Sequence, residues 1–157
     1  MKKVALITFI YVVFFSVLFL YLSSFFTSKV SSIQSPNAYV YVLNENILWS
    51  LIQDWRVKNN LEPYIKDQRL CKIALERSIE QCKLGFLDNH KGFLARYSSY
   101  PFRIAENALA FYPNESEALN GWLNSPKHLS ILKKSYSHSC LKCLNGYCSQ
   151  IFSSFKP

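Results

Sequence analysis

Of 157 residues, 18 are basic and 10 acidic, a net charge of +8. Without Lys2, Lys3 and Lys29, which flank an apolar N-terminal run, the excess falls to +5 and is scattered. No basic helix or basic–aromatic ladder stands out, which excludes a nucleic-acid-binding protein; a moderate positive excess suits an anionic envelope surface or polymer.

The first element is an uncharged run from Val4 to Ser28, most apolar from Val4 to Leu22. Roughly 20 apolar residues at ~1.5 Å rise each cross ~30 Å of hydrocarbon. The run has no polar face, which argues against a buried core helix, and no small-x-small cleavage site stands close behind Leu22. Residues 1–28 are expected to be an uncleaved signal-anchor, a transmembrane helix, with a cleaved signal peptide as the alternative. Lys2 and Lys3 prefer the cytoplasmic side, which puts the rest of the chain outside as a single-pass membrane protein or a secreted one. Residues 29–39 read as a linker. Residues 40–157 are long enough for one domain with one core.

Within that domain, Leu48, Leu51, Ile52 and Trp55 recur at helical period, predicting a helix over Asn44–Asn59 that Asn60 and Pro63 end. A second helix is predicted from Gln68 to Leu84. Cys71, Ala74, Leu75, Ser78 and Cys82 form its inner face, Lys72, Glu76, Glu80 and Lys83 its outer one, and Gly85 its stop. Residues 86–101 have no clean period and read as loop. Residues 103–111 are short and apolar, a strand or a turn of helix. Asn114, with Glu117 three residues on, opens a helix that buries Ala118, Leu119, Trp122 and Leu123. Asn114-Glu115-Ser116 is also a glycosylation sequon, meaningful only in a eukaryotic secretory pathway. Ser125 as cap and Pro126 at N1 open the next helix, anchored by Ile131 and Leu132.

The chain then reaches Asn145-Gly146, the favoured centre of a type I′ hairpin turn, which sets Cys143 opposite Cys148. A non-hydrogen-bonded pair brings the Cα atoms to ~4.5 Å, close enough for a disulfide. A zinc ribbon on Cys140, Cys143 and Cys148 would need a fourth ligand, and the hairpin explains the spacing without one. Cys71 and Cys82, ~16 Å apart along one helix, cannot bridge each other. One of them can join Cys140, leaving one thiol free, and the sequence leaves open which. Helices, a polar loop, more helices and a late hairpin describe a mixed α/β domain.

The string Ile104-Ala105-Glu106-Asn107, followed by Trp122-Leu123-Asn124-Ser125-Pro126-Lys127-His128, resembles the bacterial-type branch of the CAP superfamily (cysteine-rich secretory, antigen 5, pathogenesis-related 1). Upstream, Gln53-x-x-Arg56, Asn60-Leu61-Glu62-Pro63-Tyr64, the Leu70/Ala74 spacing and His90 hold that branch's places, as does Gln150-Ile151-Phe152 downstream. The resemblance covers roughly residues 45 to 153. Ala105 stands where the family usually has Gly before its Glu-Asn, Cys140 where it tends to have Gly, and Gln53 where it has Asn. The resemblance implies an α-β-α sandwich with a cleft lined by two His and one or two acidic residues, which in some members binds a divalent metal. Members have been linked to lipid or sterol binding, to glycans and to extracellular signalling or defence, with no common enzymatic reaction.

Carried over residue by residue, the cleft residues are His90, Glu106 and His128. Two imidazoles and a carboxylate form a sensible zinc set with a fourth position open to water, and such a water could be activated for hydrolysis. The competing reading is a structural Glu–His network in which a partly buried Glu106 takes Arg103 or a His as partner. His128 at N3 of its helix could help cap it, and His138 reads as surface. A serine hydrolase is rejected, because Ser125 serves as a cap and no Gly-x-Ser-x-Gly elbow accompanies it. Cysteine catalysis is rejected because translocated cysteines tend to be oxidised. Two functions remain. One is a non-enzymatic extracytoplasmic binding module for a lipid, glycan or protein. The other is a metal-dependent hydrolase with Glu106 as ligand or general base.

Overall fold

The computed structural model describes residues 42–100 and 103–154. The expected anchor and linker lie outside them, and among the described residues no helix is long and apolar enough to cross a membrane. The elements in chain order are α1 (Glu45–Lys58), β1 (Ile65–Lys66), α2 (Gln68–Leu84), α3 (Lys91–Tyr97), β2 (Arg103–Ala110), α4 (Glu115–Leu123), α5 (Pro126–Leu132), β3 (His138–Leu144) and β4 (Tyr147–Ser154). The strands form one sheet in the order β1-β3-β4-β2, with β1 parallel to β3 and the other pairs antiparallel.

Strand alternation divides the apolar residues between two faces. Leu109, Leu141, Cys148 and Phe152 pack with Leu48 and Ile52 of α1, Ala118, Leu119 and Trp122 of α4, and Leu132 of α5. Cys140 and Ile151, one residue out of phase, pack with Leu70, Cys71, Ile73 and Ala74 of α2 and Phe93 of α3. Helices therefore cover both faces of the sheet, as the resemblance implies.

Local chemistry sets the ends of the elements. Asn44 caps α1 through the N–H groups of Asn46 and Ile47, Asp67 caps α2, and Asn114 caps α4 by accepting from the Glu117 N–H at 2.9 Å. Gly85 stops α2 at φ 76°, in the left-handed region that glycine enters without strain. Asn145 and Gly146 both have positive φ, and Cys143 and Cys148 pair across the hairpin and are bonded, with Cα atoms 4.1 Å apart. The second disulfide joins Cys71 to Cys140, resolving the choice the sequence left open, and Cys82 is a free thiol.

Four expectations are corrected. Residues 91–97, read as loop, form the helix α3. The inner face of α2 is corrected in part, since Cys71, Ala74 and Ser78 are buried as expected but two of its members are not. Leu75 is exposed and Cys82 half-buried, while Ile73, Arg77 and Gln81 are inside. Ser125 holds the N-cap position of α5, but its hydroxyl makes no capping bond. His138, read as surface, opens β3 half-buried, with Nδ1 at 2.8 Å from the Ser137 hydroxyl.

The pattern Gln53-x-x-Arg56 with Tyr64 has a structural basis on the α1 side. The Gln53 carboxamide pairs with the Tyr64 backbone in both directions, at 2.8 and 3.0 Å. Arg56 is buried with its guanidinium carbon 3.8 Å from the Tyr64 ring centroid. It donates to the carbonyls of Glu62 and Leu132 and to the Tyr64 hydroxyl, at 2.6 to 2.7 Å. Burial pushes the Tyr64 hydroxyl up to about 12, so it remains a neutral donor, and it reaches the Leu132 carbonyl at 3.1 Å. These bonds fix the chain after α1 and the end of α5, and through α5 the position of His128.

Candidate functional site

The site forms where the edge strand β2 meets the side chains of α2, which packs on the neighbouring β3 and β4. Glu106 and Ala108 are two apart on β2 and share one face. Arg77 and Gln81 are four apart on α2 and share one side of the helix. Arg77 meets Glu106, with Nε donating to Oε1 at 2.8 Å, and both side chains are wholly buried. The same guanidinium pairs with Asp88 at 2.6 Å and with Glu80, which also pairs with Arg96. Ser149 of β4 donates its hydroxyl to Glu106 Oε1 at 2.9 Å. A Cβ on Gly92 would collide with Arg77, Glu80 and Asp88, so α3 approaches this cluster only because residue 92 is glycine. Its N–H donates to Asp88 Oδ2 at 2.7 Å.

His90 enters from the turn before α3, where Asn89 and His90 both have positive φ, at 53° and 64°. Its Nδ1 lies 2.8 Å from Glu106 Oε2, with the ring 30% exposed. Burial pushes the Glu106 carboxyl up, but hydrogen bonds from His90 and Arg77, the Arg77 charge and the Ser149 hydroxyl outweigh it and hold the group below its ordinary value. An ionised carboxylate can only accept, so Nδ1 carries the proton and Nε2 is the free edge of His90. His128 comes from the first turn of α5, tied to β2 by Asn107, whose Nδ2 donates to the His128 carbonyl at 3.2 Å. The two imidazole centroids are 6.3 Å apart at 71°. Burial, then the neighbouring His90 and Lys127, pushes His128 below the usual histidine value.

Both rings line a cavity of about 180 Å³, together with Gln81, Leu87, Asn89 and Ala108. A larger and more open hollow of about 470 Å³, lined by Glu76, Ile79, Glu80, Lys83, Leu84 and Arg96, contains none of the expected site residues.

The three expected residues therefore come together, but as a chain of contacts from Glu106 to His90 to His128. Arg77, not Arg103, is the cation that Glu106 needs, and sequence reasoning missed it. For zinc, the donor set does not fit a three-ligand centre. Both Glu106 oxygens are occupied by Arg77, His90 and Ser149, and among the described residues no three His, Cys, Asp or Glu are placed to hold one ion. Glu106 therefore has no free oxygen to offer an ion in this arrangement.

No protein-family model and no curated protein matches the chain. Solved structures do. Over 71% of its length the chain superposes on a cysteine-rich secretory protein from Staphylococcus aureus, with TM-score 0.60 and 22% identity. It also superposes on an extracellular protein containing an SCP domain from Bacillus anthracis, with TM-score 0.62 and 20% identity. The domain has the CAP (SCP) fold. An outer surface protein of Borrelia burgdorferi aligns over the same share, with TM-score 0.62 and 24% identity. The matched part is 92% of the Borrelia chain but only 38% and 40% of the other two, which are much longer proteins.

The domain's acid response follows from its buried network. Arg96 hydrogen-bonded to Glu80 lowers that carboxyl; Asp88 is pushed up by burial but brought below its ordinary value by Arg77 and the Gly92 N–H. Carboxyls depressed in the folded state stabilise it above their unfolded values of about 4, and that stability is lost as pH falls through the folded values. His128, also depressed, acts in the same direction from about pH 6.5 downward, because the unfolded chain binds its proton first. Urea unfolding midpoints are expected to decline gently from pH 7 to 5 and steeply below about pH 4. A midpoint unchanged between pH 5 and 3 would contradict the network.

Proposed function

We propose that the chain is an extracytoplasmic, non-enzymatic binding module whose CAP domain presents the His90/His128 cleft to a ligand. It is tethered to a membrane by residues 4–26 or secreted. The observation that carries this is the state of Glu106. Its side chain is inaccessible and both oxygens are committed to neighbours, so it is unable to approach a water or a substrate as a general base. What remains open is a small cavity with two imidazole edges and mixed polar and apolar walls, suited to recognition. Two disulfides support an oxidising compartment, and the secretory, extracellular and outer-surface proteins of the same fold support the same placement.

The alternative, a divalent-metal-dependent hydrolase at the same cleft, has one observation in its favour. A histidine with Nδ1 held by a carboxylate is the arrangement that orients metal-binding imidazoles. Zinc titration of the protein beside His128→Ala, with metal content measured as isolated, separates the two. The binding module expects well under one zinc per chain as isolated. One tightly held zinc that vanishes in His128→Ala would overturn it in favour of the hydrolase.

A further inference from the structure

Arg77 and Gln81 stand one turn apart on α2, Arg77 bonded to Glu106 of β2 and Gln81 lining a cavity with Ala108. Arg77 finds a partner and Gln81 does not. Gln81 is wholly buried, yet among the described residues neither Nε2 nor Oε1 has a hydrogen-bond partner. Ala108, which lines the same cavity, offers no polar side-chain atom to it. A buried carboxamide left unpaired is costly, and α2 could hold leucine here at no cost in helix propensity. Gln81 lines the 180 Å³ cavity with His90 and His128.

We propose that Gln81 determines specificity in this cleft, its carboxamide pairing with a secondary amide of the ligand. The proposal rests on the cleft being a binding site. The chemistry follows from what each ligand class would leave unpaired. A carboxylate or phosphate would satisfy Nε2 but set negative charge against Oε1. A metal cation would satisfy Oε1 and oppose Nε2. A lipid chain would satisfy neither. An amide answers both with its carbonyl and its N–H, while Leu87 and Ala108 supply apolar wall for the adjoining carbon. The cavity's size suits one such group with its nearest substituents. Two sources carry it: an N-acetylated amino sugar and a peptide backbone.

The test is a titration of the full-length, ¹⁵N-labelled chain in detergent micelles with N-acetylglucosamine and with N-acetylglycine methylamide, glucose serving as the amide-free control. The Gln81 side-chain amide resonances and the His90 and His128 signals are followed. One amide probe is expected to shift Gln81 and the histidines saturably, identifying the source, while glucose does not. Gln81→Met is expected to weaken that probe by about tenfold or more, and to melt no lower than the parent because the orphan amide is gone. Histidine shifts that persist undiminished in Gln81→Met would overturn the assignment while leaving the cleft as a binding site. Silence of both probes at Gln81 and at the histidines would count against the assignment and the cleft together. A lower melting temperature for Gln81→Met would mean that ordered water already satisfies the amide, which also overturns the assignment.

Discussion

Replacing Arg77 with methionine is expected to lower stability by about 3–5 kcal/mol, the cost of leaving buried charge without its partner. The guanidinium is completely buried and is the one cation bonded to both Glu106 and Asp88 among the described residues. Burial alone would lower its pKa, but its hydrogen bonds to Asp88 and Glu106, with their charges, raise it well above the ordinary value. Arg77→Lys keeps the charge but not the planar fork that reaches three carboxylates, and should recover only part of the loss. The pH dependence distinguishes this account from simple loss of packing. Without Arg77, Glu106 keeps its burial but loses the Arg77 hydrogen bond and charge that help hold it down, so its carboxyl is expected to move upward. A less depressed carboxyl takes less stability away as pH falls, so that the acid-induced loss should shrink in Arg77→Met. Urea unfolding at pH 7 and pH 4 for both proteins measures this. A variant with the parent's pH slope would show that Arg77 acts through packing alone.

The residues that sequence reasoning missed share a cause. The hairpin was legible because Asn-Gly specifies its own turn and so places Cys143 against Cys148. The limits of α2 were legible because Gly85 is a backbone signal. The face of α2 was legible only in part, because its buried side includes Arg77 and Gln81, polar residues that a hydrophobic period assigns to solvent. The stripe Ile73, Arg77, Gln81 at steps of four was available, and Glu106 in an apolar strand required a buried cation somewhere. α3 was hidden for a different reason. It has seven residues, begins after two left-handed residues without a side-chain cap, contains Gly92 and buries only Phe93. The contacts that hold it are tertiary: Asp88 on the Gly92 N–H, and Phe93 in the α2 cluster. In each case the local rule failed where the chain builds the cleft, which is where consistency between sequence pattern and fold is most often given up.

Removing the Cys71–Cys140 disulfide by a double alanine substitution is expected to cost about 4 kcal/mol, against about 2 kcal/mol for Cys143–Cys148, from loop entropy alone. The difference lies in the spans closed, which are 69 residues for the first and 5 for the second. Location should widen it. Cys143 and Cys148 join two strands that the hairpin already pairs, whereas Cys71–Cys140 ties α2 to β3, and α2 carries both Arg77 and Gln81 over the sheet. Loosening that helix disturbs the register in which Arg77 meets Glu106, so the Cys71/Cys140 variant should also lose part of the steep acid response, and the Cys143/Cys148 variant should keep it. A thiol count on the unreduced, denatured parent should give one reactive group, Cys82. Equal losses in the two variants would mean that entropy of the unfolded chain is not the governing term. A larger loss at Cys71–Cys140 with an unchanged pH slope would confine that bridge to stability and leave the cleft's geometry to the Arg77 network.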